Sequence, residues 1–123
     1  MARRTPLFLA ALLAAGAAPA RAWPWSPKAP MPEVRLTIKG RAFVPAELDV
    51  PAGVKFKLVV ANEDGRPSEF ESYVLNREQV VPAHGKTTVY LGPLKPGRYE
   101  FFDDFQSGVK GTLKAAAPKA AKP

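Results

Sequence analysis

Cysteine is absent from this 123-residue sequence, and histidine occurs once, at His84. Without thiolates the chain forms no disulfide, no iron–sulfur cluster and no thiolate zinc site, and it has no cysteine nucleophile. An ordinary type 1 copper centre is excluded as well, because it needs a cysteine thiolate and usually two histidines. One histidine cannot serve both a Ser-His-Asp arrangement and a separate metal site. Metal chemistry in this chain would therefore rest mainly on oxygen ligands.

Long hydrophobic segments are also scarce. The apolar run Leu7–Ala18 is too short to span the ~30 Å hydrocarbon core of a bilayer. Arg3 and Arg4 precede this run, and Ala20-Arg21-Ala22 follows it with small residues where a signal peptidase reads. This order is typical of a secretory signal peptide, here residues 1–22. We therefore expect a periplasmic protein that does not itself span the membrane after signal cleavage.

The formal net charge of +7 suggests nucleic acid at first, but the basic excess lies on the ends of the chain. The body, residues 33–113, carries 11 basic and 11 acidic residues. Electrostatic binding to nucleic acid needs a basic face on the folded part, so we expect no nucleic-acid partner. Residues 23–32 hold four prolines and two tryptophans and are predicted to form a flexible arm. Residues 115–123 are predicted to be a disordered Ala/Pro/Lys tail.

The body shows alternating apolar and polar residues and no convincing helical periodicity. Alternation over Val34–Ile38 and the other short segments, separated by Gly and Pro, predicts an all-β antiparallel sandwich over residues 33–114. A sandwich this small and without disulfides needs an aromatic core. The aromatic residues expected to supply it are Phe43, Phe56, Phe70, Tyr99, Phe101, Phe102 and Phe105.

Several motifs in the body resemble those of one family. Phe43–Gly53 resembles the opening of cupredoxin-like domains, and Leu91–Phe101 followed by Gly111–Leu113 resembles their last hairpin. The Glu-Phe-Glu piece within Ser68–Ser72 is the more specific signal. The set is most similar to the cupredoxin-like domains of bacterial periplasmic iron-uptake systems of the EfeO type, and to small single-domain relatives associated with iron permeases. The resemblance implies a cupredoxin-like Greek-key β-sandwich with a metal site at one end.

The chain departs from the blue-copper members of that family at each ligand. Ser68-Glu69 stands where the resemblance would place the first histidine, and Asp103 stands near the cysteine position. Gln106 lies where a second histidine often appears, and no methionine follows. Electron transfer through a blue-copper centre is therefore excluded by ligand chemistry.

Carboxylates remain as candidate ligands. Glu69 and Glu71 are two residues apart, so on a strand they share one face while Phe70 points the other way. Asp103 and Asp104 end the last hairpin's first strand. The resemblance implies that both acidic pairs lie at the same end of the sandwich, with Glu69 and Asp103 as the central ligands. Converging carboxylates repel one another unless a cation binds, and oxygen ligands suit iron, manganese, calcium or magnesium, and copper by general affinity.

The alternative is that these acids are solvated strand ends, paired with Arg66 or Lys110. Glu78 is a weaker candidate ligand that is expected to be an ordinary exposed residue. His84 is expected to be an exposed turn residue, in a turn that lies away from the carboxylates.

Three functional hypotheses follow. The first is a periplasmic metal-binding protein that captures iron, or copper, and delivers it to an inner-membrane iron permease. The second is a metal-free cupredoxin-fold interaction module in the periplasm. The third, an oxidase converting Fe²⁺ to Fe³⁺, is disfavoured because it needs a redox copper or another route for electrons. The sequence therefore predicts a protein that is not an enzyme.

Overall fold

The structure is a computed structural model that describes residues 30–117. The predicted signal peptide, most of the predicted arm and residues 118–123 lie outside the described residues. Within 30–117 the chain forms nine strands: β1 (Glu33–Ile38), β2 (Phe43–Val44), β3 (Glu47–Pro51), β4 (Phe56–Asn62), β5 (Ser68–Ser72), β6 (Arg77–Val81), β7 (Lys86–Leu91), β8 (Gly97–Phe102) and β9 (Lys110–Ala116). The described residues include no helix with the length and hydrophobicity needed to cross a membrane.

The strands form two sheets, in the orders β2-β1-β4-β7 and β3-β9-β8-β5-β6. The predicted all-β sandwich is confirmed. Strand β9 extends beyond the predicted domain end at residue 114. Ala115 is buried and pairs with Val50, because its small apolar side chain fits the space between the sheets. The first two residues of the predicted tail therefore belong to the last strand.

The expectation of a purely antiparallel sandwich is wrong in two places. β1 pairs with β4 in parallel, and β3 pairs with β9 in parallel. Parallel neighbours need a crossover rather than a hairpin, and here β3, which separates β2 from β4 in sequence, lies in the other sheet. Alternation predicts which face a residue occupies, but it carries no information about strand direction.

The core between the sheets is apolar and aromatic. Phe43 packs edge-on against Phe101 at 4.8 Å between ring centroids, and Phe70 lies 5.0 Å from Phe101. Two predicted core residues lie elsewhere. Phe105 is 51% exposed in the β8–β9 loop. Phe102 is half-buried on the outer face of its sheet, because it follows the inward Phe101 by one residue and strand side chains alternate.

The turn before β8 contains Pro96 and Gly97, within the Leu91–Phe101 motif. Gly97 has a φ of +155°, which favours glycine over residues with a Cβ. The Tyr99 hydroxyl donates a hydrogen bond of 2.7 Å to the Lys95 carbonyl, across the turn. This bond fixes the direction in which β8 leaves the turn.

Four loops meet at one end of the sandwich, which we call the loop end: residues 39–42, 63–67, 82–85 and 103–109. The buried Asn62 amide donates to the carbonyls of Arg66, at 2.8 Å, and Val81, at 3.2 Å. The Asp64 carboxylate accepts hydrogen bonds of 2.8 Å from the backbone N–H groups of Gly40 and Arg41. These bonds join three of the loops, and β5 begins beside them.

Candidate metal site

Side chains on β5 alternate between the two faces of the sheet, and this alternation positions the first two acids of the site. Ser68, Phe70 and Ser72 are fully or almost fully buried between the sheets. Glu69 and Glu71 point to the outer face of the same sheet, as the sequence predicted. Glu69 is nevertheless only 3% exposed, whereas Glu71 is half-buried.

Neighbouring strands add further acids to this outer face. Glu71 lies directly opposite Phe102 of β8, and Asp104 follows Phe102 by two residues. One carboxylate oxygen each from Glu69, Glu71 and Asp104 lie within 4.8 Å of one another. We call these three residues the acidic group. The structure thus brings together three of the four predicted ligands.

Glu78 was expected to be an ordinary exposed residue. It is exposed, but it lies on β6 directly opposite Glu71, so its side chain is on the same face. After burial, Glu78 is the neighbour that does most to raise the pKa of the Glu69 carboxyl. Glu78 could have been predicted from the register of the β5–β6 hairpin. The short four-residue connection, 73–76, sets that register and places Glu78 opposite Glu71.

The surroundings of the acidic group disfavour negative charge. Burial, followed by the neighbouring carboxyls of Glu78, Glu71 and Asp104, raises the pKa of Glu69 to about 7. Burial, followed by the charges of Glu78 and Asp104, also raises the pKa of Glu71. None of the ion pairs within residues 30–117 includes a member of the group; their basic partners are Arg35, Lys39, Lys57, Arg98 and Lys114.

Two carboxylate oxygens in the group lack any partner. Oε1 of Glu69 and Oε1 of Glu71 are buried and accept no hydrogen bond from the described residues. An unsatisfied buried acceptor costs about 1–3 kcal/mol, and more for a charged group. A cation placed among the three carboxylates would supply the missing partner and relieve the repulsion. Carboxylate oxygens are ligands that hard cations prefer.

Asp103, predicted as a central ligand, is not part of this group. Its side chain is buried, and its Oδ1 accepts hydrogen bonds from the backbone N–H groups of Glu69, at 3.0 Å, and Phe105, at 2.9 Å. Its Oδ2 accepts a 2.7 Å bond from the Gln106 amide. Asp103 and Asp104 are adjacent, so alternation turns their side chains to opposite faces, and only Asp104 reaches the carboxylates.

Gln106 completes a polar network with Asp103 and Ser68. Its amide nitrogen also donates to the Ser68 hydroxyl at 3.2 Å, while its Oε1 is buried without a partner. These three residues stand where the resemblance would place copper ligands. They hydrogen-bond to one another, and neither imidazole nor thiolate is present among them.

His84 is exposed, as expected, and has a φ of +54°. Its turn does not lie away from the carboxylates: it belongs to the loop end, because Val81 at the end of β6 pairs with Ser68 at the start of β5. The His84 N–H donates to the Asp64 carbonyl at 3.1 Å. His84 is not a member of the acidic group.

Comparison with known proteins identifies the family. Residues 6–115 match the family model described as a cupredoxin-like domain, so the chain belongs to the cupredoxin-like family. It is 47% identical over 73 residues to the uncharacterized protein RP394 of Rickettsia prowazekii, a match that covers 59% of this chain and 58% of that one. It is 34% identical over 125 residues to the iron uptake system component EfeO of Yersinia pseudotuberculosis, which covers 97% of this chain and 31% of EfeO. The chain therefore spans less than two thirds of either relative.

Solved structures show the same fold. The metal-binding domain of the Cu(I)-exporting P-type ATPase CopA of Streptococcus pneumoniae superposes with a TM-score of 0.61 at 14% identity, over 68% of this chain and 84% of that one. A reduced amicyanin variant gives a TM-score of 0.59 at 14% identity, over 68% and 82% of the two chains. At this identity the likeness establishes a cupredoxin-like β-sandwich and carries no ligand set with it.

Proposed function

We propose that this protein is a periplasmic metal-binding protein that captures iron through carboxylate ligands and delivers it to an inner-membrane permease. The observation that carries the proposal is the acidic group, in which a buried carboxylate, Glu69, has an oxygen without a partner beside two further carboxylates. The likeness to EfeO, which is named as an iron uptake component, supports iron as the cargo. The protein binds and transfers the ion and catalyses no reaction.

Copper is the second candidate cargo, by general affinity for oxygen and nitrogen ligands. The all-oxygen set of Glu69, Glu71 and Asp104 favours the harder Fe³⁺ ion. A metal-free interaction module is the alternative function. The hydrogen-bonded network of Ser68, Asp103 and Gln106 supports that alternative, because it stabilises the loop end without any ion.

Calorimetric titration of the purified chain at pH 7.5 with ferric citrate, Cu²⁺ and Mn²⁺ tests the proposal. We expect one iron per chain, and loss of affinity by at least about 100-fold when Glu69→Gln is combined with Glu71→Gln, since even a residue that only hydrogen-bonds to a metal ligand is worth roughly 10–100-fold. The control is the double variant Asp49→Asn with Glu100→Gln. Both residues are exposed on the outer face of the same sheet, and neither belongs to the acidic group, so the variant removes the same charge from that face and leaves the group intact.

Because neither residue adjoins the group, we expect this control to weaken iron binding by less than about tenfold, from the loss of remote charge alone. Equal losses in the two double variants would show that the sheet face attracts cations diffusely and has no defined site. If neither iron nor copper binds the native chain, the metal-free module is the correct alternative.

A further inference from the structure

A pocket adjoins the acidic group on the side of the β8–β9 loop. It has a volume of about 280 Å³ and is lined by Phe102, Asp103, Asp104, Gln106, Ser107, Gly108, Val109 and Lys110. Asp104 belongs both to this pocket and to the acidic group. The pocket is large enough for a small ligand of a few heavy atoms, although smaller than most drug-binding cavities.

Lys110 adds a positive charge to the lining of the pocket. Lys110, the first residue of β9, pairs with Phe102, which in turn lies opposite Glu71. These three residues form a row across adjacent strands, so the Cα atoms of Glu71 and Lys110 are roughly 10 Å apart and their side chains share the outer face. Lys110 is exposed and takes part in no ion pair with any residue of 30–117.

Hydrogen-bond donors surround the same space. Within residues 30–117, the backbone N–H groups of Ser107 and Gly108 donate to no backbone oxygen, and Ser107 adds an exposed hydroxyl. Gly108 has a φ of +81°, and consecutive free N–H groups in such a turn form a concavity that suits an anion. The pocket therefore has anion-binding groups next to a cluster that would repel an anion.

From this arrangement we infer that the protein takes its metal together with a small carboxylate anion, the cation on the acidic group and the anion between Lys110 and the Ser107–Gly108 turn. This inference rests on the proposed function and names its substrate as a metal–carboxylate chelate. A cation held by the acidic group would cancel the repulsion from Asp104, and a carboxylate anion in the pocket would supply it with further oxygen ligands. Cation and anion should then bind cooperatively, each raising the affinity for the other by the same factor.

The test uses Tb³⁺ as a soluble trivalent cation and radiolabelled malonate as the anion, in equilibrium dialysis of the purified chain. We expect no malonate on the metal-free chain and one malonate per chain after loading with Tb³⁺. Lys110→Gln should weaken malonate binding by roughly tenfold or more, as expected for a charge-assisted contact. The same variant should bind Tb³⁺ alone about twofold more tightly, because a positive charge has left the neighbourhood.

Lys114→Gln is the matched control. Lys114 lies on the same strand and face, but its Nζ is already 3.6 Å from a Glu47 oxygen. Malonate binding should be unchanged in this variant. Replacing malonate with inorganic phosphate distinguishes the source of the oxyanion, and equal or tighter retention of phosphate would overturn the assignment to a carboxylate.

The outcomes separate the two proposals. If Tb³⁺ binds through Glu69 and Glu71 but no malonate accompanies it, or if Lys110→Gln retains malonate equally, the chelate inference is overturned and the metal site stands. If neither Tb³⁺ nor iron binds the native chain, both proposals are overturned together.

Discussion

At the loop end, each face of one sheet carries a buried acid, and the two acids have opposite surroundings. On the inner face, Asp103 is buried, and its carboxylate accepts three hydrogen bonds from Glu69, Phe105 and Gln106. On the outer face, Glu69 is equally buried, yet one of its oxygens has no partner and its neighbours are other carboxylates. The difference shows that burial of an acid does not by itself indicate function. A buried acid without hydrogen-bond partners does indicate function, because it destabilises the fold and is kept for another reason.

The largest change in the free energy of unfolding is expected from a substitution on the inner face. Asp103→Ala leaves the Glu69 and Phe105 N–H groups without their acceptor, and it should lower the free energy of unfolding by about 3 kcal/mol. Asp104→Ala should leave stability unchanged or raise it slightly, because it removes one repelling charge. Urea unfolding at pH 7.5 measures both. Similar losses of unfolding free energy in the two variants would contradict the assignment of a structural role to Asp103 alone.

The outer face should make the metal-free protein less stable as the pH rises. The pKa of Glu69 is raised from 4.5 to about 7, so the folded chain holds this proton more tightly than the unfolded chain does. Stability is therefore lost as the pH rises from about 4.5 to about 7, and it changes no further from this source above that range. We expect a loss on the order of 1 kcal/mol, less than an isolated shift of this size implies, because neighbouring carboxyls titrate together and share the effect.

Glu69→Gln should reduce this slope to the smaller part that the raised pKa of Glu71 contributes. Glu100→Gln, on the same face, should retain the slope in full. The measurement is the urea midpoint of each metal-free protein at pH 5 and at pH 7.5. An undiminished slope in Glu69→Gln would assign the pH dependence to another residue. In the metal-loaded native chain the trend should reverse, since ligating carboxylates must lose their protons first.

The smallest effect should come from the histidine at the same end. His84→Asn keeps a side chain that tolerates the positive φ, and it should change iron affinity by less than about twofold. Calorimetric titration at pH 7.5 measures it. A larger loss would place the imidazole among the ligands, despite its absence from the acidic group.

Most of the fold was predictable because alternation and turn residues are local signals. The alternating segment Val34–Ile38 lies within β1, and Phe43, Phe56, Phe70 and Phe101 lie in the core as expected. The two-residue strand β2 and the parallel pairings were not predicted, because they depend on contacts between segments far apart in sequence. Phe105 was assigned to the core by its type alone, whereas its position in a loop exposes it.

The part of the site that depends on local alternation was also predictable. Glu69 and Glu71 follow from a period of two within one strand, which the sequence displays directly. Which of Asp103 and Asp104 joins the acidic group depends on the face to which each side chain points. A shift of one residue in the register of β8 would exchange their faces. Glu78 required knowledge of the register with the neighbouring strand, which spacing within a single strand cannot supply.

The acidic group has a kinetic consequence that follows from its position on one side of a single sheet. Glu69 and Glu71 are on β5, and Asp104 follows β8, the next strand of that sheet. An ion held there would enter and leave without any separation of the two sheets. Its residence time would then be governed by the exchange of ligands around the ion, and not by the much slower opening of the folded domain. Such a site would release its ion on contact with a competing ligand, which the proposed delivery function requires.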